Sequence, residues 1–199
     1  MPVLIPMQRY IAFISGLPVG PETVSQEALR SLFIKLGFLN VESHGRSGIV
    51  EFDTSPVGVV SALEAQISRH LKRSISGPIW TFIRTPAELA DIEASVPFDE
   101  TPEGSTVFVI LLNQHLDERT ERMLAVRRTR SDILHPRGRE IYWLHQVDDG
   151  GGSPMAIADM IDSHVTLRSL ATIKTLAAKY APKRHAASTD ATESERSRL

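Results

Sequence analysis

The sequence predicts an α+β protein of two ferredoxin-like halves, each an antiparallel sheet with helices packed on one face. Three observations predict it. Apolar segments over residues 9–84 follow the order β-α-β-β-α-β, which a four-stranded antiparallel sheet backed by two helices satisfies. A polar stretch rich in Pro and Gly, PFDETPEGS at 97–105, interrupts the chain near its middle. After it the order begins again with TVFVILL at 106–112. The halves are accordingly 8–96 and 106–182, joined by 97–105 and followed by a disordered tail at 183–199 that has almost nothing to bury.

Each element has its own warrant. Residues 9–15 are apolar on both faces, as suits a covered central strand. A helix over 24–36 follows from Leu29, Leu32, Phe33 and Leu36 at three- and four-residue intervals, with Thr23 and Gln26 spaced as a capping box and Gly37 at its end. Residues 39–44 and 48–53 are short strands around a turn near Gly45. Pro56 opens a second helix with Val59, Val60, Leu63 and Ile67 turned inward, and PIWTFIR at 78–84 is the next strand. Thr85-Pro86 with Glu88 starts a helix over 86–94.

In the second half a helix covers 117–128, and strands 130–135 and 139–146 form a hairpin about Pro136-Arg137-Gly138. Helices follow at 154–163 and 168–180. A final strand is only weakly signalled, at His164-Val165-Thr166. The two halves share no readable repeat, although RSGIVEF at 46–52 and RGREIYWL at 137–144 occupy equivalent places.

Composition narrows the function classes. The 199 residues are 42% hydrophobic and 23% charged, an ordinary globular balance. No apolar run approaches the ~20 residues that cross a bilayer, and the start MPVLIPMQRY has no basic residue before its short apolar stretch and no small-residue cleavage pattern after it, so no secretory signal is expected. There is no cysteine, which excludes disulfides and thiolate chemistry and fits a reducing cytoplasm. A net charge of −2 gives no global field for nucleic acid. Residues 1–100 hold 8 basic and 11 acidic groups, and 101–184 hold 12 and 10, so positive charge gathers in the second half. There Arg127, Arg128, Arg130, Arg137 and Arg139 surround Asp132 alone among the acids.

The loop SGLPVG at 15–20 joins a strand to a helix, the place of a phosphate cradle. Pro21-Glu22-Thr23 stand where a P-loop needs lysine and hydroxyl, and Gly16 and Gly20 lack the third glycine of a dinucleotide fingerprint. FISGLP at 13–18 with RSGIVEF looks like the two sheet motifs of an RNA-recognition motif. That module stacks bases on strand aromatics, and only Phe13 is aromatic at such a position; Ser47 and Ile49 hold the others. With Arg46 and the arginines at 127, 128, 130, 137 and 139 as phosphate contacts, Phe13 makes a candidate single-stranded nucleic-acid surface. The competing reading of the arginines is a solvated helix face with Glu118 and Glu121 pairing Arg122.

The seven histidines form no His-x-x-x-His pair, so no metal is expected. VDDGGGSP at 147–154 lacks a calcium ladder and reads as a helix approach with Ser153 as N-cap. No Gly-x-Ser-x-Gly elbow is present. No catalytic residue and no cofactor are assigned.

The order and wording resemble the bacterial domain-of-unknown-function family numbered sixteen ninety-seven. The residues that carry this are Tyr10-Ile11-Ala12-Phe13, Gly16, Val19-Gly20, Ala28-Leu29-Arg30, Leu36-Gly37-Phe38, and Ser47-Gly48 with Val50 and Phe52. FIRTPAELADIEASVPF (82–98) is the strongest stretch, followed by GREIYW (138–143) and TIKTLA (172–177). The resemblance spans about 9–180 and implies tandem ferredoxin-like halves, with no established activity. The chain departs from the family pattern at Ser15 (arginine expected), Pro18 (asparagine), Arg46 (glutamine) and Ile49 (asparagine). It departs again at Ser153-Pro154, at Ser169-Leu170-Ala171-Thr172 and at Thr175. Apolar and glycine positions persist while polar ones change, so the resemblance implies a scaffold whose shared polar site is mostly replaced.

The expectation is a cytoplasmic binding or interaction protein without catalytic residues, working through a sheet edge or face, a homodimer being one form of this. Two alternatives stand beside it: weak single-stranded nucleic-acid binding, and a small-molecule enzyme with its site between the halves.

Overall fold

In the computed structural model, the structure describes residues 6–20, 23–44, 47–56, 58–127, 129, 132–146, 154–161 and 163–182, with 154–156 as backbone only. The expected turn at Gly45, the Ser153 cap and the tail 183–199 lie outside the described residues.

The chain is α+β, with two antiparallel four-stranded sheets. The first is built from β1 (Gln8–Ser15), β2 (Leu39–His44), β3 (Ile49–Thr54) and β4 (Trp80–Arg84), in the order β2-β3-β1-β4. Helices α1 (Gln26–Lys35) and α2 (Val60–Ser74) cover its outer face, and α3 (Pro86–Ala94) follows β4. The second sheet holds β5 (Ser105–Leu112), β6 (Asp132–Arg137), β7 (Glu140–Gln146) and β8 (Val165–Ser169), in the order β6-β7-β5-β8. Its helices are α4 (Glu118–Ala125) and α5 (Pro154–Ile161), and α6 (Leu170–Tyr180) follows β8. Among the described residues no helix is long and apolar enough to cross a membrane.

The strand registers superpose one sheet on the other. Ile11 lies opposite Arg84 as Val109 lies opposite Arg168, and Phe13 opposite Ile49 as Leu111 lies opposite Glu140. The Ile14 amide donates to the Gly48 carbonyl at 2.8 Å, and the Leu112 amide to that of Arg139 at 2.9 Å. The pairing of RSGIVEF with RGREIYWL therefore holds residue by residue, placing Arg139 where the first half has Gly48 and Glu140 where it has Ile49.

Strand alternation divides the apolar residues among three cores. Tyr10, Ala12 and Ile14 point outward to Leu29 and Phe33 of α1 and Leu63 and Ile67 of α2. Ile110, Leu112, Ile141 and Trp143 face Leu124 of α4 and Ile157 of α5. The remaining faces meet each other: Ile11, Phe13 and Phe82 share a core with Val109, Leu111 and Tyr142, completed by Leu89 and Ile92 of α3 and Ile173 and Leu176 of α6. A central strand apolar on both sides is thus explained by two sheets facing one another with the two extra helices packed between them.

Several local expectations need correction. Helix α1 is capped by Ser25, whose side chain accepts from the Ala28 amide, so Thr23 and Gln26 form no capping box. Thr23 donates to the Gly20 carbonyl at 2.6 Å and Gln26 to the Ser43 carbonyl. Helix α2 begins at Val60 rather than Pro56, leaving Val59 exposed. The second hairpin turns at Gly138-Arg139, with Pro136 and Arg137 inside the edge strand β6, where a missing amide is tolerated. The faint last strand is real and reaches Ser169, because pairing with β5 supplies what its sequence lacks. Helix α3 spans the expected 86–94, with Pro86 in its first turn, and Thr85 and Glu88 further form a reciprocal capping box.

Candidate functional site

Phe13 has 0% exposure and sits in the core between the sheets, so it offers no face to a base. Arg127 is exposed just beyond α4, near the start of β6, and Arg137 is exposed at the far end of that strand. Arg139 shares a cleft with Arg137 but is held by carboxylates, 2.5 Å from that of Glu88 and 3.8 Å from that of Glu64. Arg46, Arg128 and Arg130 lie outside the described residues. The fold therefore does not bring Phe13, Arg127, Arg137 and Arg139 onto one surface. On α4, Arg122 pairs with Glu118 at 3.6 Å, the ordinary solvated arrangement.

What the fold does bring together is charge between the halves. Arg84, at the end of β4, has 0% exposure. Its Nε donates to Glu140 at 2.7 Å, one Nη to the Ile83 carbonyl at 2.8 Å, and the other to the Leu112 and Arg139 carbonyls at 3.0 and 2.9 Å. Burial pulls its pKa below the ordinary arginine value, and the Glu140 carboxylate opposes that. Beside it, buried Glu64 accepts from the Ile83 amide at 2.8 Å and from Asn113 at 3.0 Å. The amide is that of an edge strand, so the carboxylate satisfies a donor that has no strand partner. Burial raises the Glu64 pKa despite these donors. A cleft of about 470 Å³ opens next to this network, lined by Glu88 and Asp91 of α3 and by His115, Arg137, Arg139 and Glu140 of the second half. Converging charged side chains from both halves are thus present, contrary to the sequence-based expectation of a stripped polar site.

The equivalent arginine of the second half, Arg168, is built differently. One Nη donates to its neighbour's carbonyl, Leu167, at 2.7 Å, and the other to Ile14 of the first half at 3.2 Å. Its guanidinium lies 5.6 Å from the Phe13 ring centroid. Among the described residues its Nε is buried with no hydrogen-bond partner and no carboxylate pairs with the guanidinium. Burial alone lowers its pKa to about 10. Arg168 lines a second cleft, of about 370 Å³, with Ile14, Gly16, Gly20, Ser47 and Gly48 of the first half. In this cleft Gly48 stands where the other half carries Arg139. Ser15 and Pro18, two departures from the family pattern, also line it, and Ile49 and Ser169 directly follow two of its residues.

A third cluster answers the metal question. Glu42, His44 and Glu51 bring ligand atoms within 4.8 Å of one another, a set that strands β2 and β3 assemble and sequence spacing conceals. Lys179 of α6 lies among them, 2.6 Å from Glu42 and 3.0 Å from both oxygens of Glu51, while His44 hydrogen-bonds Glu51. The ammonium already places positive charge between the two carboxylates, and Arg9 lies 3.9 Å from Glu42. Hydrogen bonding to Lys179 holds Glu42 below the ordinary carboxylate range. Burial pulls on the lysine, but the two carboxylates outweigh it and raise its pKa. This tie therefore acts across the neutral range, weakening as pH falls through the lowered Glu42 value or rises through the raised lysine value. Lys179→Met should cost about 1–3 kcal/mol at pH 7, because it leaves Glu51 buried without its cation. Urea unfolding checks this, and zinc should restore stability to the variant while leaving the wild type unmoved.

Both arginines escaped sequence reasoning. The one legible signal is an arginine closing an apolar strand just before a helix-capping hydroxyl, which occurs twice, in FIRT (82–85) and TLRS (166–169).

Comparison with known proteins adds the lineage. A solved structure, a conserved bacterial protein, SP0830, from Streptococcus pneumoniae, is similar over 87% of this chain and 98% of its own, with a TM-score of 0.58 and 19% identity. That likeness establishes the shared fold. No curated protein matches. A family model described as a protein of unknown function (DUF1697) matches residues 7–142, which takes in the whole first half and the second as far as Tyr142. The chain belongs to the DUF1697 family.

Proposed function

We propose that this protein binds a small molecule in the cleft formed by the loop after β1, by Gly48 and by Arg168. The observation that carries this reading is the cleft's construction: both halves line it, and three of its residues are glycines that expose only backbone. Such a concave site at the meeting of two lobes is where ligands commonly lodge. Its volume of about 370 Å³ suits a small metabolite. The sheet faces are poor alternatives, because their inner sides pack on each other and Phe13 is covered. The charges of the larger cleft are in good part engaged already, Arg139 with Glu88 and Glu140 with Arg84. A reducing bacterial cytoplasm suits a chain without cysteine.

Amide NMR spectra of the full chain, titrated with a library of small polar compounds, test the reading. Binding should move the resonances of Gly16, Gly20 and Gly48 together, and native mass spectrometry should detect the same compounds on the chain. A library that leaves these three glycines unmoved, or that moves only Ser95 and Gly138 at the other cleft, would sink it.

A further inference from the structure

We propose that the ligand of this cleft carries an oxyanion, a carboxylate or a phosphate on a small molecule, and that Arg168 binds it. This rests on the reading of the cleft as a ligand site and adds the ligand's chemical class.

The chain supplies its own control. The two arginines occupy one position in two equivalent sheets, opposite Ile11 in the first and Val109 in the second. Each reaches across to a carbonyl at the end of the other half's first strand: Arg84 to Leu112, Arg168 to Ile14. Arg84 has a carboxylate, Glu140, at 2.7 Å. The register puts Ile49 at the corresponding place for Arg168, so that counter-charge is missing by sequence. A guanidinium taken out of water is strongly disfavoured unless an anion and hydrogen bonds replace its hydration. Arg168 has the hydrogen bonds in part, a ring face, and an Nε with nothing to donate to.

The surroundings favour an anion entering from the cleft. Among the described residues the lining holds no glutamate or aspartate; beside Arg168 it consists of apolar groups, glycine backbone and the hydroxyl residues Ser15, Thr23, Ser47 and Thr166. The first cleft, by contrast, sets the carboxylates of Glu88, Asp91 and Glu140 beside Arg137 and Arg139, and Arg139 is already paired with Glu88. A guanidinium binds carboxylate and phosphate through charge-assisted hydrogen bonds, and low polarity around it strengthens them. The rest of the ligand would lie on Leu17 and Pro18.

Calorimetric titration of the full chain separates the outcomes. Acetate and acetamide form one pair of probes, glycerol phosphate and glycerol another, with inorganic phosphate alongside. An anion should bind and its uncharged counterpart should not; whether acetate or the phosphates bind identifies the source of the oxyanion. Arg168→Met should weaken that binding roughly ten- to hundredfold, and added salt should weaken it in the wild type. Ile49→Glu offers Arg168 a carboxylate from the other half, as Glu140 does for Arg84, so it should abolish anion binding while the chain stays folded by circular dichroism. Anions that bind Arg168→Met as tightly as wild type overturn the proposal. So do uncharged compounds that shift the three cleft glycines as strongly as the anions, a result that would leave the binding site itself standing. If no compound of either kind reaches those glycines, both readings fall.

Discussion

Alanine at position 16 should destabilise the protein by about 3–5 kcal/mol, the sum of a disallowed backbone conformation and a steric conflict. Gly16 follows β1 with φ +80°, where a side chain meets its own backbone. A Cβ placed there would overlap the carbonyl oxygen of Pro78 and lie 2.9 Å from its carbonyl carbon. Both atoms are backbone of the segment leading into β4, so neither can swing aside as a side chain would. Gly20 is the matched control: its φ is also +80°, but nothing lies within 4 Å of a Cβ there. Gly20→Ala should therefore lose only the conformational part, about 1–2 kcal/mol. Urea unfolding of the two variants gives the comparison directly. Equal losses would mean that the approach of Gly16 to Pro78 is not a tight contact.

Arg84→Met should cost about 3–5 kcal/mol, the usual penalty for removing one partner of a buried ion pair. The loss is not of one contact. Glu140 would keep its charge in a confined site, and the carbonyls of Leu112, Arg139 and Ile83 would each lose a donor. Two of those carbonyls and the carboxylate belong to the second half, so the variant should also loosen the halves from each other. Arg168→Met provides the contrast. With no carboxylate left stranded, and Phe13 ready to pack against the new side chain, its unliganded stability should stay within about 1 kcal/mol of wild type. A double-mutant cycle over Arg84 and Glu140 should show a coupling of about 1–3 kcal/mol. A coupling near zero would mean that the pair does not hold the halves together.

Much of the scaffold could be read from periodicity. Leu29 and Phe33 share a helix face, and the doubly apolar β1 announces a strand covered on both sides. The start of α3 was legible in Thr85-Pro86 and the first-turn Glu88, and the structure adds a capping box between Thr85 and Glu88. The one at Thr23 failed because the same spacing fits a loop in which Thr23 bonds the Gly20 carbonyl instead. Strand β8 was faint because its partner, β5, lies more than fifty residues away and contributes the regularity that five residues lack. Phe13 misled for a related reason: alternation shows that a residue faces one side of a sheet, not what covers that side.

The sequence alone determined the element order and the division into twin sheets, because helix and strand periodicity, caps and turns are local. Only the tertiary structure revealed that two arginines 84 positions apart are counterparts, that one meets a carboxylate and the other a cleft, and that Lys179 neutralises Glu42 and Glu51. Charge pairing depends on distance through space, and in this fold the paired charges lie up to 137 residues apart along the chain, beyond the reach of any local pattern.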